Sequence, residues 1–136
     1  MKTLIQFLTL IVVGMIMNTP LSAEPLPSPT VQSVITIEGI DYPVFELAEL
    51  PPLKRVQPGY PYREGEKGQA GKVVVAVLVD RQGNPAEVMV QLSEPSPVFG
   101  YVSVKAVKKW RFRPAQWEGK PTEYIVQVPL VFQVSG

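Results

Sequence analysis

Apolar and polar positions recur with two different periods along this chain, and each change of period predicts an element. Lys72 to Val79 is a β-branched run (Val73, Val74, Val75, Val77, Val79) that is apolar on both faces and predicts a buried strand. Asp80-Arg81-Gln82-Gly83-Asn84 supplies a reversal, because Gly83 and Asn84 take positive φ at low cost. Ala86, Val88, Val90 and Leu92 then alternate with Glu87, Met89, Gln91 and Ser93, which predicts a second strand with one buried face. Pro95 and Pro97 end it. The period now lengthens: Phe99, Val102, Ser103, Ala106, Val107 and Trp110 fall at helical spacing, with Lys105, Lys108 and Lys109 opposite, and Pro114 stops the helix beyond Arg113. Gly119-Lys120-Pro121 turns the chain, and period-two alternation returns over 123–134 with Tyr124, Val126, Val128, Leu130, Phe132 and Val134 on one face. The expected fold is α+β in the order β-β-α-β, a three-stranded antiparallel sheet with one packed helix and a core that includes Phe99, Ala106, Trp110 and Phe112. Pro129 has no N–H, so its place inside the final strand marks an edge strand or a bulge.

Upstream the pattern is weaker. Val34 to Ile37 reads as a short strand that Glu38-Gly39 turns towards Ile40 to Phe45, where Pro43 points to an edge position. Prolines on either side (Pro25, Pro27, Pro29, then Pro51, Pro52, Pro58) favour extended chain. Residues 24–57 are therefore expected to be a Pro-rich tether carrying a short hairpin over 34–45. Residues 1–23 combine Lys2, an apolar stretch from Leu4 to Met17, a break at Asn18-Thr19-Pro20 and the cleavable Leu21-Ser22-Ala23. This is the pattern of a signal peptide. The alternative is a short membrane anchor, although the apolar stretch is brief for a ~30 Å hydrocarbon core.

Charge and composition narrow the chemistry. Once Lys2 is set aside, the remaining 12 Lys and Arg balance 12 Asp and Glu, so no overall field favours nucleic acid. The chain has no cysteine and no histidine. That removes thiolate ligands, disulfides, the commonest metal ligand and the usual acid/base group near neutral pH. Among the carboxylates Asp41, Glu64, Glu87 and Glu123, no pair is identifiable as general acid and base. No catalytic residue, metal, cofactor or small-molecule substrate is expected. The cations Lys105, Lys108, Lys109, Arg111 and Arg113 read as a solvated helix face, the alternative being a contact with an anionic surface.

Several residues in series resemble the C-terminal domain of TonB-type energy transducers. They are Tyr60-Pro61, Gly71-Lys72-Val73 with the valines that follow, Val79-Asp80 with Gly83, the run from Ala106 through Trp110-Arg111-Phe112-Arg113-Pro114 to Ala115, Gly119-Lys120-Pro121, Val128-Pro129 and Phe132. The resemblance covers residues 58–136. It implies a non-enzymatic periplasmic module that pairs its sheet edge with an extended peptide from an outer-membrane transporter, or with another periplasmic protein, in TonB-dependent transport. It also implies that the edge is the last strand, with Tyr124, Val126, Val128, Leu130 and Phe132 at the partner surface and Tyr60, Pro61 and Arg63 nearby. The same edge could instead serve a homodimer in a structural or scaffolding envelope protein. The chain departs from the family pattern in places. Gly100 stands where Asp commonly caps the helix, and Ser103 where Ala is usual. Between Tyr60 and Gly71 a short first helix is expected, yet Glu64, Gly65, Gly68 and Gln69 are poor material for one. The family's long spacer is missing from residues 24–57.

Overall fold

The computed structural model describes residues 28–61 and 68–133; the stretch 1–23 expected to be a leader, Arg63, most of the stretch expected to form a first helix, and Val134 fall outside them. The central hairpin is β3 (Gly71–Val79) and β4 (Pro85–Glu94), followed by α1 (Pro97–Val107). A small ribbon, β5 (Ala115–Trp117) and β6 (Lys120–Thr122), precedes the last strand, β7 (Tyr124–Phe132). Upstream lie β1 (Val31–Ile37) and β2 (Ile40–Phe45). The sheet is not three-stranded and antiparallel: it has five strands in the order β1-β2-β7-β3-β4, with β2 and β7 parallel.

Two local causes add the extra pair. Glu38 and Gly39 take φ of 52° and 80°, the left-handed turn whose twist suits a tight hairpin between β1 and β2. Phe45 then anchors the hairpin: its ring is 2% exposed and lies 5.4 Å from that of Tyr124. As a result β7 is an interior strand over its first half. It pairs with β3 along its length, from Gly71↔Phe132 to Val79↔Tyr124, and with β2 through Val44↔Ile125 and Phe45↔Val126.

The prolines explain why that second seam is so short. Neither Pro43 nor Pro129 can donate to a ladder, so each fits only where its nitrogen faces away from its antiparallel partner. For both, that side is the β2–β7 seam. Pro43 directly precedes the paired residues of β2, and Pro129 lies beyond those of β7. Pro43 thus does not confine β2 to an edge.

One face of the sheet is closed by α1 and the segment after it. Val73, Val75, Val77 and Val79 of β3 and Tyr124, Val126, Val128 and Phe132 of β7 are buried there with Phe99, Ala106, Val107, Trp110 and Phe112. Burial at ~25 cal/mol per Å² of apolar surface makes this layer the main source of stability. Ser96 caps α1, its Oγ accepting from the Val98 N–H at 3.2 Å, with Pro97 in the first turn. Gly100 is therefore not the cap. It lies inside the helix, where an added Cβ would come within 3.1 Å of Ser93, and its N–H donates to Ser93 Oγ at 2.8 Å. Ser103 is buried but satisfied, donating to the Phe99 carbonyl at 2.7 Å. The helix ends at Val107, short of Trp110, whose N–H donates to the Val107 carbonyl in a final turn. On β4, bulges opposite Val74/Val75 and Leu78/Val79 interrupt the expected alternation: Val88 and Val90 lie opposite Val77 and Val75 on the helix side, Val90 still 44% exposed, whereas Leu92 lies opposite Val74 on the open side.

Tyr124 ties the layers together. Its hydroxyl donates to the Arg113 carbonyl at 2.8 Å, and burial pushes its ionisation well above the usual tyrosine range, against a lowering contribution from Arg113. The unfolded phenol ionises near pH ~10. The folded state holds the proton more tightly, so this contribution is intact below pH ~10 and is lost as pH rises above it. Urea unfolding from pH 8 to 11 is expected to show that loss in the wild type, and Tyr124→Phe should flatten it.

Candidate strand-pairing site

The residues of β7 divide by parity. Tyr124, Val126, Val128 and Phe132 are buried towards α1, and Leu130 is half-buried on the same side. Those side chains belong to the core and cannot touch a docked strand. Ile125, Gln127, Pro129 and Val131 face the opposite, open side, where Gln127 Nε2 donates to Gln91 Oε1 at 2.8 Å and Val131 is 67% exposed. The free edge expected from Tyr124 to Val134 is thus reduced to the part of β7 beyond Val126, because β2 already takes the first half.

Beside that remaining edge the chain leaves an open groove of about 580 Å³, lined by Ser33 and Ile35 of β1, Val44 of β2, Val74 of β3, and Gln127 and Pro129 of β7. Strand β1 is two positions away from β7 in the sheet, yet it shares this groove with β3. The sheet must curl for that to happen, so the hairpin stands as a wall over the open face. Ile37, at the far end of β1, shares a smaller cavity with Ala76, Leu78, Met89 and Ile125.

Tyr60 and Pro61 sit at the Phe132 end of β7. Tyr60 stacks edge-on against Phe99 at 5.9 Å, and Phe99 against Phe132 at 5.0 Å. The Tyr60 hydroxyl donates to the Gln69 carbonyl at 2.7 Å and accepts from the Gln69 N–H at 3.0 Å, while Pro61 is buried. The structure therefore gathers Tyr60, Pro61 and Phe132 around one aromatic cluster; Arg63 lies outside the described residues. The exposed cations are spread out rather than pooled. Arg113 Nε donates to the Pro51 carbonyl, Arg111 Nη1 to the Trp110 carbonyl, and Lys105 lies 5.3 Å from the Tyr101 ring centre.

Gln127, Pro129, Ser33 and Ile35 were missed by sequence reasoning as lining positions. Parity alone could have found the first two, since a strand whose even positions are all apolar presents its odd positions elsewhere. Nothing in the alternation of 31–45 said that this hairpin would stand beside β7.

Residues 56–134 match the family model described as Gram-negative bacterial TonB protein C-terminal. The chain is 28% identical over 82 residues to the TonB protein of Vibrio cholerae and 36% identical over 78 residues to tonB2 of Pseudomonas aeruginosa. Those stretches are 60% and 57% of this chain but only 34% and 29% of the relatives, so the chain spans about a third of the length of the curated proteins it matches. The solution structure of the Pseudomonas aeruginosa TonB C-terminal domain superposes with a TM-score of 0.53 at 28% identity, covering 64% of this chain and 88% of that one. With more than half of its length matched, and with the helix-on-sheet core built from the matched residues, this chain belongs to the TonB C-terminal domain family.

Proposed function

We propose that this protein is a periplasmic, non-enzymatic strand-pairing module of TonB-dependent transport, which receives an extended segment of an outer-membrane transporter along β7 beyond Val126. The observation that carries this reading is the run Gln127–Phe132, which pairs with β3 on one side, meets no strand of the described residues on the other, and lies beside an open groove. Main-chain hydrogen bonds would supply affinity and the alternate side chains of the segment would enter the groove. Pro129 can offer only a carbonyl to the newcomer, so the added strand must be held mainly on either side of it.

Titration of the isotope-labelled chain with N-terminal peptides of transporters from the same organism tests the reading. Amide shifts are expected at Gln127, Val128, Val131 and Phe132. No shift there with any of the peptides would sink it. A second copy would use the same backbone groups, and the mass of the free chain by sedimentation separates that outcome from peptide capture.

A further inference from the structure

The sheet has two outer edges, and they differ in how they are protected. On β4 two bulges distort the ladder, Pro85 and Pro95 bracket it, and Glu87 and Glu94 lie within it. Those are the devices that normally keep a free edge from pairing. Strand β1 has almost none of them. It reads Val-Gln-Ser-Val-Ile-Thr-Ile, with no charge, proline or glycine. Its one irregularity, between Val31 and Ser33, leaves an unbroken register from Ser33 to Ile37.

The backbone of that run points outward in a defined way. A tight two-residue turn closes on a hydrogen-bonded pair, here Ile37↔Ile40, and bonded and non-bonded pairs then alternate. Ile35↔Tyr42 is therefore bonded, whereas Thr36↔Asp41 and Val34↔Pro43 are not. That agrees with Pro43, which has no N–H to give. The N–H and C=O groups of Val34 and Thr36 consequently face away from β2. Val34, Ile35 and Ile37 are 47%, 42% and 45% exposed, so an added strand would also find apolar side chains beside it.

Charge selects the partner. From Ser28 to Leu50 the chain carries Glu38, Asp41, Glu46 and Glu49 and neither lysine nor arginine. Glu38 stands at one end of β1; Glu46 and Glu49 stand at the other, where Glu49 Oε2 accepts from the Thr30 N–H at 2.7 Å. A second copy of this chain would bring acid against acid at both ends. We propose that β1 is a second strand-accepting edge, separate from β7, and that it takes an extended segment of alternating β-branched residues flanked by lysine or arginine.

The test uses the full chain and a short synthetic peptide of alternating valine and threonine with a lysine pair at each end. Binding is expected to shift the amides of Val34 and Thr36 and to weaken as salt is raised past the physiological range. A matching peptide with glutamate in place of lysine should bind at least about tenfold more weakly. Val34→Pro removes an outward N–H without removing a β1–β2 hydrogen bond, so binding should fall while the circular dichroism spectrum is unchanged. Glu38→Lys/Glu46→Lys keeps the backbone donors and should reverse the preference between the two peptides, which holds the test open if Val34→Pro unfolds. Equal affinity for both peptides would overturn the proposal. So would shifts confined to Gln127–Phe132, or concentration-dependent shifts at Val34 and Thr36 without peptide, which would identify the occupant as a second copy. Because β7 is probed by different amides and different peptides, either reading can fail without the other.

Discussion

Trp110→Ala is expected to lower stability by about 3–5 kcal/mol, read as a fall in the urea midpoint with little change in slope. The indole is 2% exposed and lies 6.0 Å from the Phe112 ring. Its removal costs more than buried area. Nε1 donates to the Val56 carbonyl at 2.8 Å, and the Arg55 guanidinium lies 5.4 Å from the ring centre. Trp110 therefore fastens the proline-rich segment 51–58 to the end of α1. Close by, the Leu53 and Lys54 N–H groups donate to the Arg111 carbonyl at 2.8 and 3.1 Å, and the Arg111 N–H donates to the Lys54 carbonyl at 3.0 Å. Trp110→Phe separates the two contributions. It keeps most of the apolar volume but leaves the part-buried Val56 carbonyl without its donor, a loss of about 1 kcal/mol. Hydrogen exchange should then quicken at Leu53 and Lys54 before it quickens in β3.

Gly83→Ala is expected to cost about 3 kcal/mol or more, by two mechanisms that a larger side chain cannot avoid. Gly83 has φ of +88°, where an L-residue with a Cβ is disfavoured by about 1–2 kcal/mol. A Cβ built there would also fall 2.3 Å from the Phe112 carbonyl oxygen, which is backbone and cannot swing aside. Both neighbours are already fixed: the Gly83 N–H donates to the Asp80 carbonyl at 3.0 Å, and the Phe112 N–H donates to the Gly83 carbonyl at 2.8 Å. The β3–β4 turn is thus clamped to the chain after α1. Gly39, also at positive φ, provides the control: nothing lies within 4 Å of its Cβ position. Gly39→Ala should cost only the backbone penalty. A gap between the two variants in thermal unfolding would reflect the carbonyl collision; equal costs would mean that the turn relaxes away from Phe112.

The helix-on-sheet core was legible residue by residue. Phe99, Ala106, Trp110 and Phe112 are buried, and the even positions of β7 face α1, because the burial of one strand face and one helix stripe is imposed by period. Legibility declined where register and neighbours decide. Leu92 was expected to share the buried face of Val88 and Val90, but the bulge opposite Val74/Val75 sets it beside Val74 on the open side, and bulges leave no period in the sequence. The helix was expected to carry Trp110, but it stops at Val107 so that Arg111 can pair with Lys54. That contact is distant in sequence and invisible to local propensity.

Pro129 shows how the two kinds of information divide. The missing N–H is a covalent fact, so the sequence by itself determined that this point of the last strand has a side on which it cannot donate. It also determined the apolar face of that strand and the neutrality of 31–37, since both are properties of residue type and spacing. Tertiary structure alone decided which side was left open and for how far. Burial of Phe45 and Leu50 draws the upstream hairpin onto β7, and the seam extends only through Ile125 and Val126. That moves the outer edge of the sheet to β1. Strand order rests on which apolar surfaces find one another across long loops, a choice that alternation within a strand does not encode.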